Sequence, residues 1–458
     1  PFIRAQDSLS LALNFTQFNL KAVNNYLLPN RDLNGKMSGQ ISVYNYLGDP
    51  KMNYDLTINE PVIDKITGKE MTVKGIYQDS RMSFTEMTLN NQNGNTRGRG
   101  YLPWAISFMP AKFSVDQNAP LNLNFSMKTA SLDFLSVYLD DVESIDGDFN
   151  LALSISGTPG HPVRSGNFSA KNATINVNSI ENPITGVVGS AIVKDNIMEI
   201  VSLTGYMKKP QSLARADRFK DKLKAVTWDV LFPPKIAEDQ PNLAISGTLD
   251  FTQFFQPRYD ITLKGEEIYV RTLLAEQEGV LNATFKMTGK DTIDIEGDVE
   301  VADFIIRNEF KAGNEVVKSE KPSNSYSTVN IRTTIPGGLY LKNSQLDSEL
   351  EGEIWIIRNG NEPYRFSGPL ETLSGSFYYY GWEFEIVSGT ITFDPTEFNP
   401  TLDIQAQVDL ASYGMADTTT SSTDKTEMVT VYLTGYLDSP SLEFESANYS
   451  QSDILMFL

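Results

Sequence analysis

The sequence contains no cysteine and a single histidine, His161. Without thiols the chain can form no disulfide, no thiolate metal site and no cysteine redox switch. Cationic residues are also scarce, because 38 Lys and Arg face 58 Asp and Glu and the formal net charge is −20. This balance argues against a nucleic-acid partner and against electrostatic docking on anionic lipid headgroups.

A long apolar run is missing as well. No stretch approaches the roughly 20 apolar residues that a membrane-spanning helix needs, and the chain opens at Pro1 without a secretory signal. It ends inside the apolar run SDILMFL. We interpret the chain as part of a longer protein and expect any membrane anchor to lie outside it.

The sequence also has none of the common catalytic motifs: no Gly-x-Ser-x-Gly elbow, phosphate-binding loop, His-Glu-x-x-His or dinucleotide fingerprint. His161 lies in GTPGHPV between two predicted strands, where a surface turn residue is expected. The best calcium candidate is an acidic cluster that lacks the ligand spacing of a calcium loop, formed by Asp140, Asp141, Glu143, Asp146 and Asp148. We therefore expect no catalytic residue, no cofactor and no metal, and predict that the chain is not an enzyme.

What the sequence has in abundance is alternation of apolar and polar residues. Between Leu121 and Met127 every second residue is apolar, which is the pattern of a strand with one buried face. The pattern recurs to the end of the chain with turn signals about every 8–12 residues, and one such turn is predicted at Ser388–Gly389. The spacing predicts an all-β fold of mostly antiparallel strands with few short helices.

The first third of the chain repeats itself when the sequence is shifted so that Leu9 falls on Leu121. The stretch LSLALNF aligns with LNLNFSM, and LKAVNNYLLPNRDLNG aligns with LDFLSVYLDDVESIDG. Each copy is predicted to contain a strand, a short helix, a tight turn and another strand. The turns are predicted at Asn34–Gly35 and Asp146–Gly147, because Asn-Gly and Asp-Gly accept the positive φ of a tight turn.

Two stretches interrupt the alternation. Residues 208–239 are rich in Lys and Arg and carry apolar residues at helical spacing from Ala216 to Val226. We interpret them as an insertion with solvated charges, and the alternative is a contact site for an acidic partner. Residues 412–427 are rich in Ser and Thr and are predicted to form a loop.

The last third carries a more specific signal, in LDSELEGEIWIIRNGNEPYRFSGPLETLSGSFYYYGWEFEIVSGTITFDPTEFNPTLDIQAQV and then VTVYLTGYLDSPSLEFESANYSQSDILMFL. These segments resemble the C-terminal domain of the TamB family, which is related to AsmA. The family hairpin G-x-x-F-x-I-x-x-G-x-I-x-F is matched by Gly381, Phe384, Ile386, Gly389, Ile391 and Phe393. The pattern N-P-x-L-D-I-x-A that follows is matched by Asn399, Pro400, Leu402, Asp403, Ile404 and Ala406.

The resemblance implies one elongated, U-shaped β-sheet, curled like a taco around an apolar groove. It implies a periplasmic bridge of Gram-negative bacteria that shields lipid acyl chains, supports phospholipid transport from the inner to the outer membrane, and serves outer-membrane biogenesis and protein assembly. The implied partners are phospholipid acyl chains and an Omp85-type outer-membrane barrel, TamA- or BamA-like, and the implied anchor lies in the inner membrane.

Five segments are expected along the chain. They are an AsmA/TamB-like β repeat at 1–112, a second β repeat at 113–205, a basic insertion or loop at 206–240, a continuation of the groove at 241–330 and a truncated TamB C-terminal-like domain at 331–458.

Under this interpretation one face of the strands lines the groove. The candidate groove residues are Leu121, Leu123, Phe125, Leu151, Leu153, Phe285, Trp382, Phe384, Ile386, Leu402, Ile404, Val431 and Leu433. For any one of them, plain packed core is an equally good interpretation. The candidate docking site for the barrel is the apolar end formed by Ile454, Leu455, Met456, Phe457 and Leu458. The alternative is that this end caps the groove.

Two other classes of protein fit the alternation. A structural or adhesive β-solenoid would fill its interior with side chains to the density of a crystal, whereas a groove would leave an open apolar cleft. A carbohydrate-active β enzyme would need two carboxylates across a cleft.

Overall fold

The computed structural model divides the chain into two compact units. Unit 1 comprises Pro1–Asn178, Pro183–Gly205 and Ser246–Pro257, and unit 2 comprises Ser179–Asn182, Tyr206–Ile245 and Arg258–Leu458. The residues that the structure describes are 4–23, 32–63, 66–132, 142–209, 240–253, 257–272, 276–290, 292–308, 326–360, 362–397, 399–410 and 428–457.

Strands make up nearly all of the described residues, which confirms the prediction of an all-β fold with few short helices. Helical residues in these ranges are a 3₁₀ helix at Leu20–Val23, helix α1 at Gln451–Phe457 and Leu410, which has 3₁₀ conformation after residue 409. No helix among the described residues is long and apolar enough to cross a membrane.

The strands are long because the alternation continues without breaks. Those of the first half are β1 (Ser8–Asn19), β2 (Leu33–Tyr46), β3 (Asp49–Ile63), β4 (Ile66–Thr67), β5 (Glu70–Gln78), β6 (Arg81–Asn90), β7 (Gly94–Phe108), β8 (Ala111–Val115), β9 (Asn122–Ser131), β10 (Val142–Thr158), β11 (His161–Val177), β12 (Ile184–Lys194) and β13 (Ile197–Tyr206). Those of the second half are β14 (Leu243–Asp250), β15 (Arg258–Arg271), β16 (Gln277–Gly289), β17 (Thr292–Ile306), β18 (Tyr326–Lys342), β19 (Leu346–Asn359), β20 (Arg365–Tyr379), β21 (Trp382–Phe393), β22 (Thr401–Asp409), β23 (Met428–Tyr436) and β24 (Ser439–Ser446).

Strand pairing in both units is that of an open sheet. In unit 1 the hydrogen-bonded order is β1–β2–β3–β5–β6–β7–β9–β10–β11–β12, all antiparallel. In unit 2 the order runs from β15 to β24 in sequence. Here β17 and β18 are parallel, which requires a crossover connection, whereas the other pairs are antiparallel.

Strand pairing in unit 1 repeats at the same offset as the sequence, the offset that aligns Leu9 with Leu121. In the first copy Leu13 pairs with Ile41, and Ile41 pairs with Tyr54. In the second copy the equivalent Phe125 pairs with Leu153, and Leu153 pairs with Gly166. The two hairpins that follow close at equivalent pairs, Tyr46 with Asp49 and Thr158 with His161. The same arrangement of three strands therefore occurs twice.

The tight turns predicted at Asn34–Gly35 and Asp146–Gly147 are wrong. Both dipeptides lie inside long strands, β2 and β10, at points where the pairing register shifts. Gly35 and Gly147 have φ values of 133° and 153°, which glycine adopts at little steric cost. These positions are β-bulges, in which an extra residue bends a strand without ending it.

The turn predicted at Ser388–Gly389 is wrong for the same reason. Strand β21 continues from Trp382 to Phe393, and its register with β22 shifts between Ile386 and Ser388. A glycine beside a serine is a turn signal only where the neighbouring strand also ends. Here β22 continues alongside, so the chain bulges and does not turn.

His161 is the first residue of β11, directly after the two-residue turn at Pro159 and Gly160, and it is exposed as expected. Other predictions fall outside the described residues: the helix after Leu132, most of the basic insertion at 206–240, the loop at 412–427, Asp140, Asp141 and Leu458. The five predicted segments of the chain stay predictions.

Buried side chains form several clusters. The largest lies in unit 2 and runs from Val301 to Ile454, and it includes a buried residue from every strand from β17 to β24. Smaller clusters in unit 1 gather around Phe149 and Ala173, around Leu20 and Met37, and around Tyr77.

Candidate functional site

Unit 1 presents one sheet face on which apolar residues of neighbouring strands stand side by side. Three rows cross the strands, and together they define the apolar face of unit 1. The first row is Met37, Ile58, Met71, Leu89, Thr96, Met127, Leu151, Phe168 and Ala191. The second is Phe15, Gly39, Leu56, Val73, Met87, Gly98, Phe125, Leu153, Gly166 and Val193. The third is Leu13, Ile41, Tyr54, Gly75, Phe84, Gly100, Leu123, Ile155 and Arg164.

The opposite face of the same strands is polar. A row displaced by one residue consists of Ser38, Thr57, Thr72, Thr88, Arg97, Ser126, Ala152 and Asn167. Directly opposed residues in an antiparallel pair have Cβ atoms about 4.5–5.5 Å apart, so each row forms a continuous line of side chains. Period-two alternation combined with a continuous register therefore gives unit 1 two chemically distinct surfaces.

Five of the predicted groove residues lie at or beside this apolar face. Leu123, Phe125, Leu151 and Leu153 are members of its rows and are half-buried. Leu121 is buried, and its backbone N–H donates to the carbonyl of Gly157 over 2.9 Å. The structure therefore brings these residues together on one surface, most of which is partly open to solvent.

Aromatic rings on the apolar surfaces lie across glycines of the neighbouring strand. A Cβ at Gly98 would lie 2.8 Å from the ring of Phe125, and one at Gly297 would lie 2.5 Å from the ring of Phe285. A side chain at either glycine would displace the ring, so these glycines leave the space that the rings occupy over the neighbouring strand. This pairing was not predicted from the sequence, although a glycine at an apolar position of an alternating strand is a signal for it.

Phe285 belongs to a similar apolar row in unit 2. Its neighbours across the strands are Leu263, Gly297, Ile331, Ile356 and Phe366. Most of these residues are half-buried, and Phe366 is exposed. The side chains of this row are thus partly open to solvent, as are most of those on the apolar face of unit 1.

The remaining seven predicted groove residues are buried together in what we call the C-terminal cluster. It consists of Trp382, Phe384, Ile386, Leu402, Ile404, Val431 and Leu433, with Phe444 and Ile454. Phe384 is fully buried, and its ring centroid lies 6.2 Å from that of Phe377 and 6.2 Å from that of Phe444. These distances lie in the range of favourable aromatic pairs. This region is therefore packed as a core.

Helix α1 brings the end of the chain to the C-terminal cluster. Its first turn is closed by a reciprocal cap of the capping-box type, because the N–H of Asp453 donates to Ser450 Oγ over 3.3 Å and the N–H of Ser450 donates to Asp453 Oδ2 over 3.1 Å. The hydroxyl of Ser450 also donates to Asp453 Oδ2, over 2.6 Å. The hydrogen bonds that the Ser450 hydroxyl and then the Ser450 N–H donate to its carboxylate lower the pKa of Asp453. Of the predicted docking residues, Ile454 is 1% exposed within the cluster, whereas Leu455 and Met456 are 48% and 78% exposed.

A polar network that the sequence analysis missed lies at the ends of β15, β16 and β17. The hydroxyl of Tyr269 donates to Glu278 Oε2 over 2.8 Å, and Arg307 donates to Glu278 Oε1 over 2.7 Å. Arg271 pairs with Glu181 at 3.0 Å. Burial and then the hydrogen bond to Glu278 raise the pKa of Tyr269. The network ties together the ends of these strands, at the opposite end of β16 from Gly289.

The polar surfaces of the described residues contain a cavity and several exposed acidic residues. A cavity of 520 Å³ in unit 2 is lined by Lys264, Asp298 and Arg332, among others, and Arg332 already donates to Glu353 over 2.8 Å. Within the described ranges no group of three or more acidic or histidine side chains is placed to hold a metal ion. Of the acidic cluster, Glu143, Asp146 and Asp148 lie exposed along β10.

Comparison with known proteins identifies a protein family that matches the second half of the chain. The family model named TamB, which describes the TamB C-terminal domain, matches residues 236–458. No curated protein matches the chain at a significant level. The matched residues include the C-terminal cluster, helix α1 and the open row of Phe285, so the match extends well upstream of the segment on which the resemblance was first identified.

Proposed function

The chain carries a TamB C-terminal domain and is a TamB-family protein, and from this premise we propose that its open apolar surfaces shield lipid acyl chains during transport across the periplasm. The family serves outer-membrane assembly and lipid transport in Gram-negative envelopes and is not a family of enzymes. The finer proposal for this chain concerns which surface shields the lipid, in which compartment and with which partner.

The observation that carries the proposal is the two-sided sheet of unit 1. Its three apolar rows cross nine or ten paired strands each, and most of their side chains are half-buried. Globular proteins rarely leave a contiguous apolar surface of this kind exposed unless it binds something apolar. The three rows contain no charged residue apart from Arg164 at the end of the third row, so the surface would accept many acyl chains without selecting one headgroup.

The energetics favour such a surface. Each methylene that leaves water for an apolar environment gains about 0.8 kcal/mol, so a two-tailed lipid with roughly 30 methylenes has about 24 kcal/mol at stake. A lipid leaves a bilayer readily only when another apolar surface replaces most of that environment. Rings packed over glycines, as at Phe125 and Gly98, would provide an apolar surface for this purpose.

We assign different roles to the two groups of predicted groove residues. Leu123, Phe125, Leu151 and Leu153 of unit 1, with Phe285 of unit 2, would contact lipid directly. The residues of the C-terminal cluster would hold their strands in place as packed core, and this is the plain interpretation that the sequence left open. Photo-crosslinking within each group distinguishes these roles.

We further propose that the C-terminal end docks on an Omp85-type outer-membrane barrel, TamA- or BamA-like, in the periplasm. Leu455 and Met456 are exposed on α1 beside the buried anchor Ile454 and supply an apolar contact. Cysteines at Leu455 or Met456 should crosslink in cells to periplasmic or lateral-gate strands of the barrel. Crosslinks that form only within the chain would support the capping interpretation instead.

The direct test of lipid shielding is lipid extraction and mass spectrometry of the purified chain. We expect co-purified phospholipid, and we expect L123D together with L151D to remove most of it because two carboxylates would lie in the apolar rows. The matched control is N122D together with N150D, which places the same charges on the exposed polar face of the same strands. Equal lipid content in the two double variants would refute the proposal.

A further inference from the structure

The polar face of unit 1 contains a cavity that is separate from the proposed lipid surface. It has a volume of about 810 Å³ and lies over β7, β9 and β10, on the side of the sheet away from the apolar rows. The short side chains of Ser126 and Ala152, which are paired across β9 and β10, lie at its centre. Longer polar side chains on the same sheet face surround them, and this difference in length produces the concavity.

Two cationic side chains border the cavity. Arg97 lies opposite Ser126, and Lys128 lies opposite both Asn95 and Asn150. Arg97 and Lys128 are therefore diagonal neighbours on β7 and β9, at a separation of about 7–8 Å that long side chains can bridge. Both are exposed, and neither forms a hydrogen bond or an ion pair with another described residue. One ligand can thus contact both cations.

The charge of this cavity is opposite to that of the whole chain, which has a formal net charge of −20. Among the residues that the structure describes, no Asp or Glu lines it. The cavity in unit 2 differs, because it is lined by two cations and by four acidic residues, Glu266, Glu267, Asp298 and Glu300. The cavity in unit 1 therefore favours a ligand with two negative charges.

Much of the remaining wall consists of carboxamides. Four of them have side chains that form no hydrogen bond with another described residue, namely those of Asn90, Asn95, Asn150 and Asn167. A carboxamide has two N–H donors and a carbonyl acceptor, so it can bind a hydroxyl group in either direction. The cavity is also much larger than one small anion, since a water molecule occupies about 30 Å³ of liquid. The wall and the volume together favour an anion that is attached to a hydroxyl-rich group.

We propose that this cavity binds a phosphate monoester carried on a sugar or a similar hydroxyl-rich molecule. Such a monoester has a charge of about −1.5 to −2 at neutral pH, which matches the two cations together. The planar guanidinium of Arg97 binds phosphate oxygens, and the ammonium of Lys128 supplies the second charge. The asparagine carboxamides bind hydroxyl groups of the carrier. The site lies on the opposite face from the proposed lipid surface and does not depend on it.

Isothermal titration calorimetry of the purified chain, in a buffer without phosphate, tests the proposal. The probes are glucose-6-phosphate, glucose, glucuronate and inorganic phosphate. Glucose-6-phosphate should bind at least about tenfold more tightly than each of the others, because it alone combines a doubly charged group with several hydroxyls. Absence of measurable binding of glucose-6-phosphate at millimolar concentration would overturn the proposal.

R97Q together with K128Q should weaken the binding of glucose-6-phosphate at least about tenfold, because charge-assisted hydrogen bonds to phosphate are lost. The matched control is R99Q together with K171Q, which removes the same charge from exposed residues of β7 and β11 that do not line the cavity. The control should weaken binding no more than about threefold, since water and salt screen exposed charges. Equal losses in the two double variants would show general attraction of anions and overturn the proposal. Circular dichroism verifies that both variants are folded.

Three further outcomes would assign the cavity to another ligand and overturn the proposal. Glucuronate that binds as tightly as glucose-6-phosphate would mean that a single carboxylate is sufficient. Inorganic phosphate that binds as tightly would mean that the carrier is not recognised. Vesicles of phosphatidylglycerol that bind the wild type but not R97Q with K128Q, when glucose-6-phosphate does not bind, would assign the two cations to phosphodiester headgroups of a membrane.

Discussion

The apolar face of unit 1 and the C-terminal cluster are built from the same alternating pattern, yet their burial differs. Phe125 and Leu151 are half-buried in rows that continue from strand to strand. Phe384 and Val431 are buried, because Phe444 and Ile454 fill the space beside them. Alternation therefore decides which residues share a face, and the elements that pack on that face decide whether it is open or closed.

The difference matters for function because a closed core has no room for a ligand. The open row of Phe285 in unit 2 resembles unit 1 in its burial, although it lies in the same unit as the cluster. The boundary between open and packed surface thus falls within the matched family domain. Four measurements sharpen or break this comparison.

The largest effect is expected from F384A compared with F125A. Removing a fully buried phenylalanine costs about 3–5 kcal/mol of unfolding free energy, from lost burial and the cavity that remains. F125A should cost less than half as much, because its ring is half-exposed in the folded chain. Equilibrium unfolding in denaturant measures both, and equal losses would contradict the assignment of core and open surface.

A smaller effect is expected at helix α1. I454A should lower the unfolding free energy of the cluster by about 2–3 kcal/mol, in the range for buried aliphatic residues. M456A, two positions along the same helix and 78% exposed, should change it by no more than about 0.5 kcal/mol. Limited proteolysis after β24 reports release of the helix. Similar cleavage of both variants would mean that Ile454 does not anchor α1.

The smallest expected effect is a pH dependence at the polar network of Tyr269, Glu278 and Arg307 in unit 2. Burial alone would raise the pKa of Glu278, but hydrogen bonds from Tyr269 and Arg307, with the charges of Arg307 and Arg271, lower it below the ordinary 4.5. A carboxylate whose pKa is lowered on folding stabilises the folded chain at pH values above its ordinary pKa of 4.5. This stabilisation is lost as the pH falls through the lowered pKa.

E278Q should therefore weaken the acid sensitivity of these strands, because its amide does not titrate. Thermal unfolding of the wild type and E278Q at pH 7 and at pH 3.5 measures the change. The melting temperatures should differ more at pH 7 than at pH 3.5. A constant difference would show that Glu278 contributes packing alone. E353Q, in an exposed pair with Arg332, serves as the control.

Much of the fold could be predicted because alternation is a local property. The pattern of Leu121, Leu123 and Phe125 specifies a strand with two distinct faces, and the alignment of Leu9 with Leu121 predicted equivalent elements. The distinction between a turn and a bulge is not local. Gly147 and Gly389 were predicted to lie in turns, but each lies inside a strand, and a neighbouring strand continues beside it.

The site was less predictable, because burial depends on residues that are distant in sequence. Phe384 and Phe125 have similar local patterns, and only the contacts with Phe377 and Phe444 separate them. The network of Tyr269 includes Glu181 through Arg271, and these two side chains come from distant parts of the chain. No spacing in the sequence would reveal such a contact.

The measurement that tests the central claim most directly is lipid capture by a photo-crosslinking amino acid placed in turn at Phe125, Phe384 and Asn124. These positions represent the open apolar face, the packed cluster and the polar face of β9. The account predicts phospholipid adducts at Phe125 and none above background at Phe384 or Asn124, read by mass spectrometry after irradiation in cells. Adducts of equal yield at Phe125 and Asn124, or adducts at Phe384 alone, would contradict it.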